Sequence, residues 1–144
     1  MDSSTALKEI DAVLASAAEQ WNRHDTATYA SLWMDDATFV NVVGMYREGR
    51  KNIQAEFDYL HADRFKDSTF VILKRTARFL KPDVAAVNVW WEMQNDPGAP
   101  GHPVENGVRR GVFTHVMLLT PEGWRFAASQ NTDIQPIPDF LPPA

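Results

Sequence analysis

The polar run Gln130-Asn131-Thr132-Asp133 holds the side chains best placed for chemistry, because it ends an aromatic strand. The preceding segment alternates Trp124, Phe126 and Ala128, and this period of two continues to Gln130. Gln130 therefore ends an apolar strand face with an amide that can donate and accept hydrogen bonds. A neutral polar group at the end of a hydrophobic wall is typical of a ligand cavity.

The same alternation, applied to the other strands and to a helix, predicts the rest of this cavity. On a strand over 108–120 the inward set is expected to be Arg110, Val112, Thr114, Val116 and Leu118. The predicted ligand-binding residues are Phe39, Asn41, Phe57, Trp91, Arg110, Thr114, Phe126 and Gln130.

Each polar candidate also has a structural interpretation. Asn41 could contact a ligand or bond the backbone where its strand ends, since buried amides are normally paired. Thr114 is also a common strand residue, and Arg110 could meet an anionic ligand or pair with a carboxylate at the surface. The catalytic residues, if any, stay undefined at this level.

The strand over 84–94 has two possible facings. Val87, Val89, Trp91 and Met93 form its more apolar side, which favours Trp91 inward and Trp90 with Glu92 outward. In the opposite facing, Glu92 enters the cavity, where apolar walls would raise its pKa and suit it to proton transfer.

No metal site or cofactor is expected. The chain has no cysteine, and its four histidines lack the i,i+3 or i,i+4 partners of a metal site. No Asp/His pair falls on the predicted inward set, and no glycine-rich phosphate loop follows a strand. His24 is predicted to end a helix in the left-handed region.

Composition excludes several function classes. The 144 residues are 44% hydrophobic and carry a net charge of −5, with no basic stripe, so nucleic-acid binding is not expected. No membrane span is visible, and the lack of cysteine fits a cytoplasmic location.

The apolar spacing predicts helices first and strands afterwards. A helix over 5–23 is followed by a short one that Asp25 caps and that carries Tyr29, Leu32 and Trp33. Asp35-Asp36-Ala37 is predicted as a turn. The remaining elements are a strand over 38–43, a helix over 51–63, strands over 68–80, 84–94, 108–120 and 123–132, and a mobile loop over 95–103.

This order predicts an α+β fold. We expect one domain over 1–135, with about three helices on a strongly curved, mainly antiparallel sheet that encloses a pocket, and an extended proline-rich tail over 136–144.

Several motifs carry a family resemblance. Asp35-Asp36-Ala37-Thr38-Phe39-Val40-Asn41, followed by Gly49-Arg50, a helix and four strands, resembles the nuclear transport factor 2-like cone fold, which includes the SnoaL-like proteins. Leu80-Lys81-Pro82-Asp83-Val84-Ala85 and the Gln130-Asn131-Thr132-Asp133 ending are similar to its SgcJ/EcaC group. The resemblance covers residues 5 to 135.

The resemblance implies a cavity but argues against the acid–base chemistry of ketosteroid isomerase. Where that relative has its aspartate base this chain has Asn41, where it has a protonated aspartic acid this chain has Thr114, and its tyrosine falls near Ala17. Asparagine cannot take up a proton, so we expect no isomerase activity.

Two functions are compatible with these residues. The first is binding of a small apolar molecule, aromatic or polyketide-like, by a biosynthetic or accessory enzyme of undefined reaction. The second is a non-catalytic dimeric module whose cavity is filled by its own side chains. A homodimer is expected through the convex sheet face, predicted to carry Trp90, Glu92, His115, Met117, Arg125 and Asn131.

Overall fold

A computed structural model describes residues 2–102 and 104–144 of the chain. Met1 and Pro103, which lie within predicted spans, fall outside the described residues. The helices are α1 (Ser3–Arg23), α2 (Thr26–Ala30) and α3 (Arg50–Ala62). The strands are β1 (Trp33–Val40), β2 (Tyr46–Glu48), β3 (Thr69–Lys81), β4 (Val84–Gln94), β5 (Arg109–Thr120) and β6 (Gly123–Asp133).

Short polar side chains cap the first two helices. The Asp2 carboxylate accepts from the Thr5 backbone N–H at 2.8 Å at the start of α1. His24 ends this helix with φ 57°, which confirms the predicted left-handed cap. Asp25 then caps α2 by accepting from the Thr28 N–H at 3.1 Å. The apolar face of α1, which includes Ile10, Leu14 and Trp21, is buried.

The strands form one six-stranded sheet in the order β2-β1-β6-β5-β4-β3. Its pairs are antiparallel except that β1 lies parallel to β6. The helices pack on one side of this sheet, mainly against β1, β3 and β6. The predicted α+β class, with N-terminal helices on a mainly antiparallel sheet, is confirmed.

The predicted turn at Asp35-Asp36-Ala37 is wrong, because these residues lie inside β1. Trp33, predicted on the second helix, begins this strand. The pairing of β1 with β6 is irregular here: Trp33 pairs with Phe126 and Thr38 with Ala128, so β1 bulges between the two pairs. The bulge lets two exposed aspartates sit within a strand that is buried on either side. The short strand β2 was not predicted.

The facing of β4 is confirmed, whereas that of β5 is wrong by one residue. Trp91 is fully buried on the inner face of β4, and Glu92 lies on the outer face. Since Trp91 pairs directly with Gly111, the inner face of β5 is set by that pair. The inner residues of β5 are Arg109, Gly111, Phe113, His115 and Met117.

A bulge in β6 reverses its facing partway along. Met117 pairs with Phe126 and Val116 with Ala128, so Ala127 is an extra residue. Trp124 and Phe126 face inward as predicted. Beyond the bulge the inner residues are Ser129, Asn131 and Asp133, whereas Gln130 is exposed on the outer face.

The outer sheet face therefore differs from the predicted one. His115 and Met117 are buried on the inner side, and Asn131 also faces inward. Trp90 is on the outer face, with the Lys74 ammonium 4.3 Å from its ring centre. Residues 134–144 follow β6 without helix or strand, and Phe140 there is largely exposed.

Candidate ligand-binding site

A cavity of about 420 Å³ lies between the inner sheet face, α3 and the loop that joins β4 to β5. Its walls are mostly apolar, and it opens past Val43, Met45 and Tyr59, all exposed. The aromatic wall residues are Trp21, Phe39, Phe57, Tyr59, Phe65, Phe70, Trp91 and Phe113. Volume and lining are those of a pocket for a small organic ligand.

Trp91 builds one wall by crossing over β5. A Cβ placed on Gly111 would lie 2.2 Å from Trp91 Cζ2, so only glycine leaves room for the indole. The indole Nε1 reaches across to β6 and donates to Asn131 Oδ1 at 2.8 Å. Asn131 lines the cavity, and its Nδ2 donates no hydrogen bond to the described residues. The cavity thus contains an amide donor held in place by a tryptophan.

A cluster of charged side chains lies at the loop end of the cavity, with Arg109 at its centre. The side chain of Arg109 is 5% exposed, and its Nη1 and Nε lie 3.3 Å from Asp96 Oδ2 and 3.4 Å from Asp133 Oδ1. Arg64 donates to Asp96 Oδ1 at 3.1 Å. The Arg109 guanidinium is also 5.5 Å from the ring centres of Phe65 and Trp91. Two positive and two negative charges therefore balance at this end.

His102 contributes an imidazole to the same end of the cavity. Its Nδ1 lies 3.3 Å from Asp133 Oδ2, and the residue lines the cavity. No Asp/His pair was predicted on the inward set, whereas the structure places Asp133 on the inner side of β6 beside His102. The β6 bulge turns Asp133 inward, and the loop carries His102 back over the sheet. One signal was present: Asp133 shares the period of Asn131 once the bulge is allowed for.

The opposite end holds a second paired group around Asn41. Arg47 Nε donates to Glu56 Oε1 at 2.9 Å, and Asn41 Nδ2 donates to the same oxygen at 3.1 Å. Asn41 Oδ1 accepts from the backbone N–H groups of Val43 and Met45. The side chain of Asn41 thus stabilises the turn after β1, and backbone hydrogen bonding rather than ligand contact explains these contacts.

The predicted site residues divide into three groups, of which Phe126 alone forms the third. Phe39, Asn41, Phe57 and Trp91 line the cavity together. Arg110, Thr114 and Gln130 lie on the outer sheet face, because β5 is shifted by one residue and β6 is bulged. Arg110 pairs there with Glu92 at 3.0 Å, and Thr114 accepts from Asn88 at 2.9 Å. Sequence reasoning missed Arg109, Asn131 and His102, which line the cavity, and Asp133, which contacts Arg109 and His102.

Phe126 lies deeper, beside a small internal space that contains His115. The His115 ring stacks on Phe113, with centres 4.6 Å apart, and its Nδ1 is 2.7 Å from Ser129 Oγ. Ser129 Oγ also accepts from Trp33 Nε1 at 3.0 Å. Complete burial lowers the pKa of His115 from an ordinary 6.5 to about 3, so the ring stays neutral in the core.

Two histidines contact each other where α1 and α3 end. The Nδ1 atoms of His24 and His61 are 2.8 Å apart. Burial, and secondarily the neighbouring His24, lower the pKa of His61 from 6.5 to about 4. His61 also packs edge-on against Trp21, with ring centres 4.4 Å apart. This pair therefore supports the aromatic wall from behind.

Within residues 2–102 and 104–144, no three His, Asp or Glu side chains form a metal-binding group.

The fold and this open, mainly apolar cavity define a small α+β domain with helices on one side of a sheet. The sequence matches the SnoaL-like domain over residues 14–119, which is more than half of the chain. The chain therefore belongs to the SnoaL-like domain family. Comparison with curated proteins gives no match.

Solved structures share the fold at low sequence identity. An uncharacterised protein with a cystatin-like fold from Caulobacter vibrioides is 23% identical, with a TM-score of 0.80 and 92% of each chain covered. A proposed dehydratase of the NTF2-like family from Streptomyces avermitilis is 17% identical, with a TM-score of 0.77, covering 94% of this chain and 100% of that one. A proposed aromatic ring hydroxylase from Novosphingobium aromaticivorans is 14% identical, with a TM-score of 0.77 and 94% of each chain covered.

In the described part of the chain, no helix has the length and apolar character needed to cross a membrane.

Proposed function

We propose that this protein binds a small, uncharged, apolar molecule, aromatic or polyketide-like, in the cavity between α3 and the sheet. The observation that carries the proposal is the open volume of about 420 Å³ behind mostly apolar walls rich in aromatic side chains. The alternative of a non-catalytic module with a filled cavity is disfavoured by this volume.

The balance of charge around the cavity supports an uncharged ligand. Arg109 and Arg64 are matched by Asp96 and Asp133 at one end. At the other end Arg47 pairs with Glu56, whose side chain is 9% exposed. A charged ligand would leave one buried charge without a partner, which costs several kcal/mol in general. A neutral ligand can instead use the free Asn131 donor.

Two finer assignments rest on the same proposal. Membership in the SgcJ/EcaC group is supported by the Gln130-Asn131-Thr132-Asp133 ending, and a cytoplasmic location by the lack of cysteine. The proposed dehydratase and ring hydroxylase among the similar structures support a role as a biosynthetic or accessory enzyme.

The binding proposal is tested with N-phenyl-1-naphthylamine, an uncharged probe that fluoresces in apolar surroundings. Wild-type protein is expected to give a saturable signal and a raised melting temperature. Leu60→Trp replaces a cavity-lining leucine with a bulkier indole side chain, which should fill the cavity and abolish the signal. Leu73→Trp makes the same exchange at an exposed strand position and should leave it unchanged. The proposal fails if wild type shows no saturable signal, or if the two variants behave alike.

A further inference from the structure

We propose that the His102–Asp133 pair accepts the hydroxyl proton of a phenol or enol bound in the cavity. The inference rests on the proposed binding function and adds a chemical class of ligand to it. Nothing in the family match addresses this pair, because the match ends at residue 119 and Asp133 lies beyond it.

The hydrogen bond of His102 leaves one of its ring nitrogens free. The Asp133 carboxylate has no proton to give when it is ionised, so the contact at 3.3 Å requires His102 Nδ1 to carry the hydrogen. The other ring nitrogen, Nε2, then carries a lone pair. No hydrogen bond joins Nε2 to the described residues, and His102 is one of the residues that line the cavity. The ring thus offers a proton acceptor to a molecule in the cavity.

Asp133 acts through His102 as a positioning residue. Its side chain is 5% exposed, and its other oxygen lies 3.4 Å from Arg109 Nε. The guanidinium is itself fixed between Asp96 and two aromatic rings. Asp133 therefore fixes the imidazole orientation, and its negative charge stabilises the imidazolium that forms on proton uptake.

The charges around the pair stay balanced during proton transfer. With a neutral imidazole, Arg64, Arg109, Asp96 and Asp133 sum to zero. The ligand O–H bond breaks, the proton forms a bond to Nε2, and the electron pair stays on the ligand oxygen. The resulting phenolate and imidazolium are equal and opposite, so the cluster stays balanced, and Arg109 is the nearest cation in the cluster to the pair.

The acidity of the hydroxyl group limits the ligand class. An ordinary phenol holds its proton about 3–4 pKa units more tightly than imidazolium does. Full transfer is therefore expected for phenols or enols acidified by a conjugated electron-withdrawing group, whereas other phenols form a hydrogen bond. Asn131 stands two residues before Asp133 on the same strand face, about 7 Å away, and its free amide N–H suits a conjugated carbonyl or nitro oxygen.

The experiment compares 4-nitrophenol with 4-nitroanisole, which has the same ring but no hydroxyl. It is done just below the pH at which free 4-nitrophenol ionises, so that new phenolate absorbance reports transfer in the complex. Wild type should bind the phenol about tenfold or more tightly than the anisole and show phenolate absorbance. His102→Asn should equalise the two affinities and remove the absorbance.

Control variants separate this role from a structural one. Asp67→Asn changes an exposed side chain that does not line the cavity, and it should behave as wild type. Asp133→Asn should keep part of the preference for the phenol but lose the phenolate absorbance. If His102→Asn does not fold, His102→Gln serves in its place.

Three outcomes overturn the proposal. The first is equal binding of the two probes by wild type, and the second is phenolate absorbance that persists in His102→Asn. The third is that neither probe binds although N-phenyl-1-naphthylamine does, which overturns the ligand class and leaves the binding function intact. If that naphthylamine also fails to bind, the proposed function fails with it.

Discussion

At the scale of single residues, the cavity wall depends on a glycine, which leaves the space that the Trp91 indole occupies. Gly111 lies beneath the Trp91 indole, and a Cβ there would also come within 2.6 Å of the Thr132 carbonyl oxygen. Neither neighbour can move easily, since one is a fully buried ring and the other is backbone in a sheet. The hydrogen bond from Trp91 to Asn131 depends on the same close approach.

Gly111→Ala is therefore expected to destabilise the protein by about 1–3 kcal/mol, as overpacked cores generally do. Urea unfolding measures the effect. The same substitution in a Trp91→Ala background should cost less, because the indole is gone and only the carbonyl clash remains. Equal costs in the two backgrounds would show that the ring does not constrain this position.

The buried histidines give a second prediction at this scale. The folded protein holds the pKa of His61 near 4 and that of His115 near 3, against 6.5 for an ordinary histidine. Between the lowered pKa values and 6.5, the unfolded chain binds more protons than the folded one. The free energy of unfolding should be highest above about pH 6.5, and it should fall as the pH drops towards 4.

His61→Gln removes one of the two titrating groups, so the loss of stability with falling pH should become shallower. Urea unfolding across this pH range measures the slope, and the difference between variant and wild type should be constant above pH 6.5. An unchanged slope would mean that His61 takes up its proton equally well in the folded state.

At the scale of elements, the sequence predicted the order of helices and long strands but not every facing. β4 was predictable because Val87, Val89, Trp91 and Met93 make one side much more apolar than the other. β5 was not, since Val112, Val116 and Leu118 on its outer side compete with an inner side that holds Arg109, Gly111 and His115. Arginine is rarely buried without partners, and those partners come from the loop and β6.

The site was less predictable than the fold, because it depends on one inserted residue. Ala127 shifts the facing of all that follows in β6, which moves Gln130 out and brings Asn131 and Asp133 in. Strand periodicity alone cannot place a bulge, since small residues such as Ala127 fit a regular strand equally well. The four cavity residues that were predicted all lie before this point in the chain.

The loop between β4 and β5 is tied to the domain through Asp96. Its Oδ1 accepts from the Gly98 N–H at 2.8 Å and from Arg64, and the Arg64 Nη1 donates to the Gly98 carbonyl at 3.0 Å. Asp96→Asn should loosen this loop and speed its cleavage in limited proteolysis, while the fold persists because Arg109 keeps Asp133. Asp67→Asn, at an exposed position, should be cleaved as wild type. Equal rates for the two variants would show that Asp96 does not hold the loop.

At the scale of the whole molecule, the outer sheet face is the surface that we propose pairs two copies in a homodimer. Trp90 lies on this face beside Lys74 and opposite Val112, and the half-buried Val116 and Leu118 continue the same face along β5. A broad sheet face with this apolar content is usually covered in solution.

Trp90→Glu is expected to shift the protein from dimer to monomer in sedimentation velocity at micromolar concentration, since two carboxylates would meet across the two-fold axis. Tyr59→Glu, at the exposed cavity rim, should leave the dimer intact. A monomeric wild type, or a dimer that survives Trp90→Glu, contradicts the proposed interface.

The parallel pairing of β1 with β6 has a consequence for how the chain is made. β1 is synthesised early, yet its long sheet neighbour is the last strand to leave the ribosome, and Phe126 donates its backbone N–H to the Leu32 carbonyl at 2.9 Å across that gap. Until β6 emerges, Trp33 has no Ser129 to bond, and the inner edge of β1 stays open to other strands. The sheet therefore cannot close until β6 is available to pair with β1, so this strand determines when folding of the domain completes.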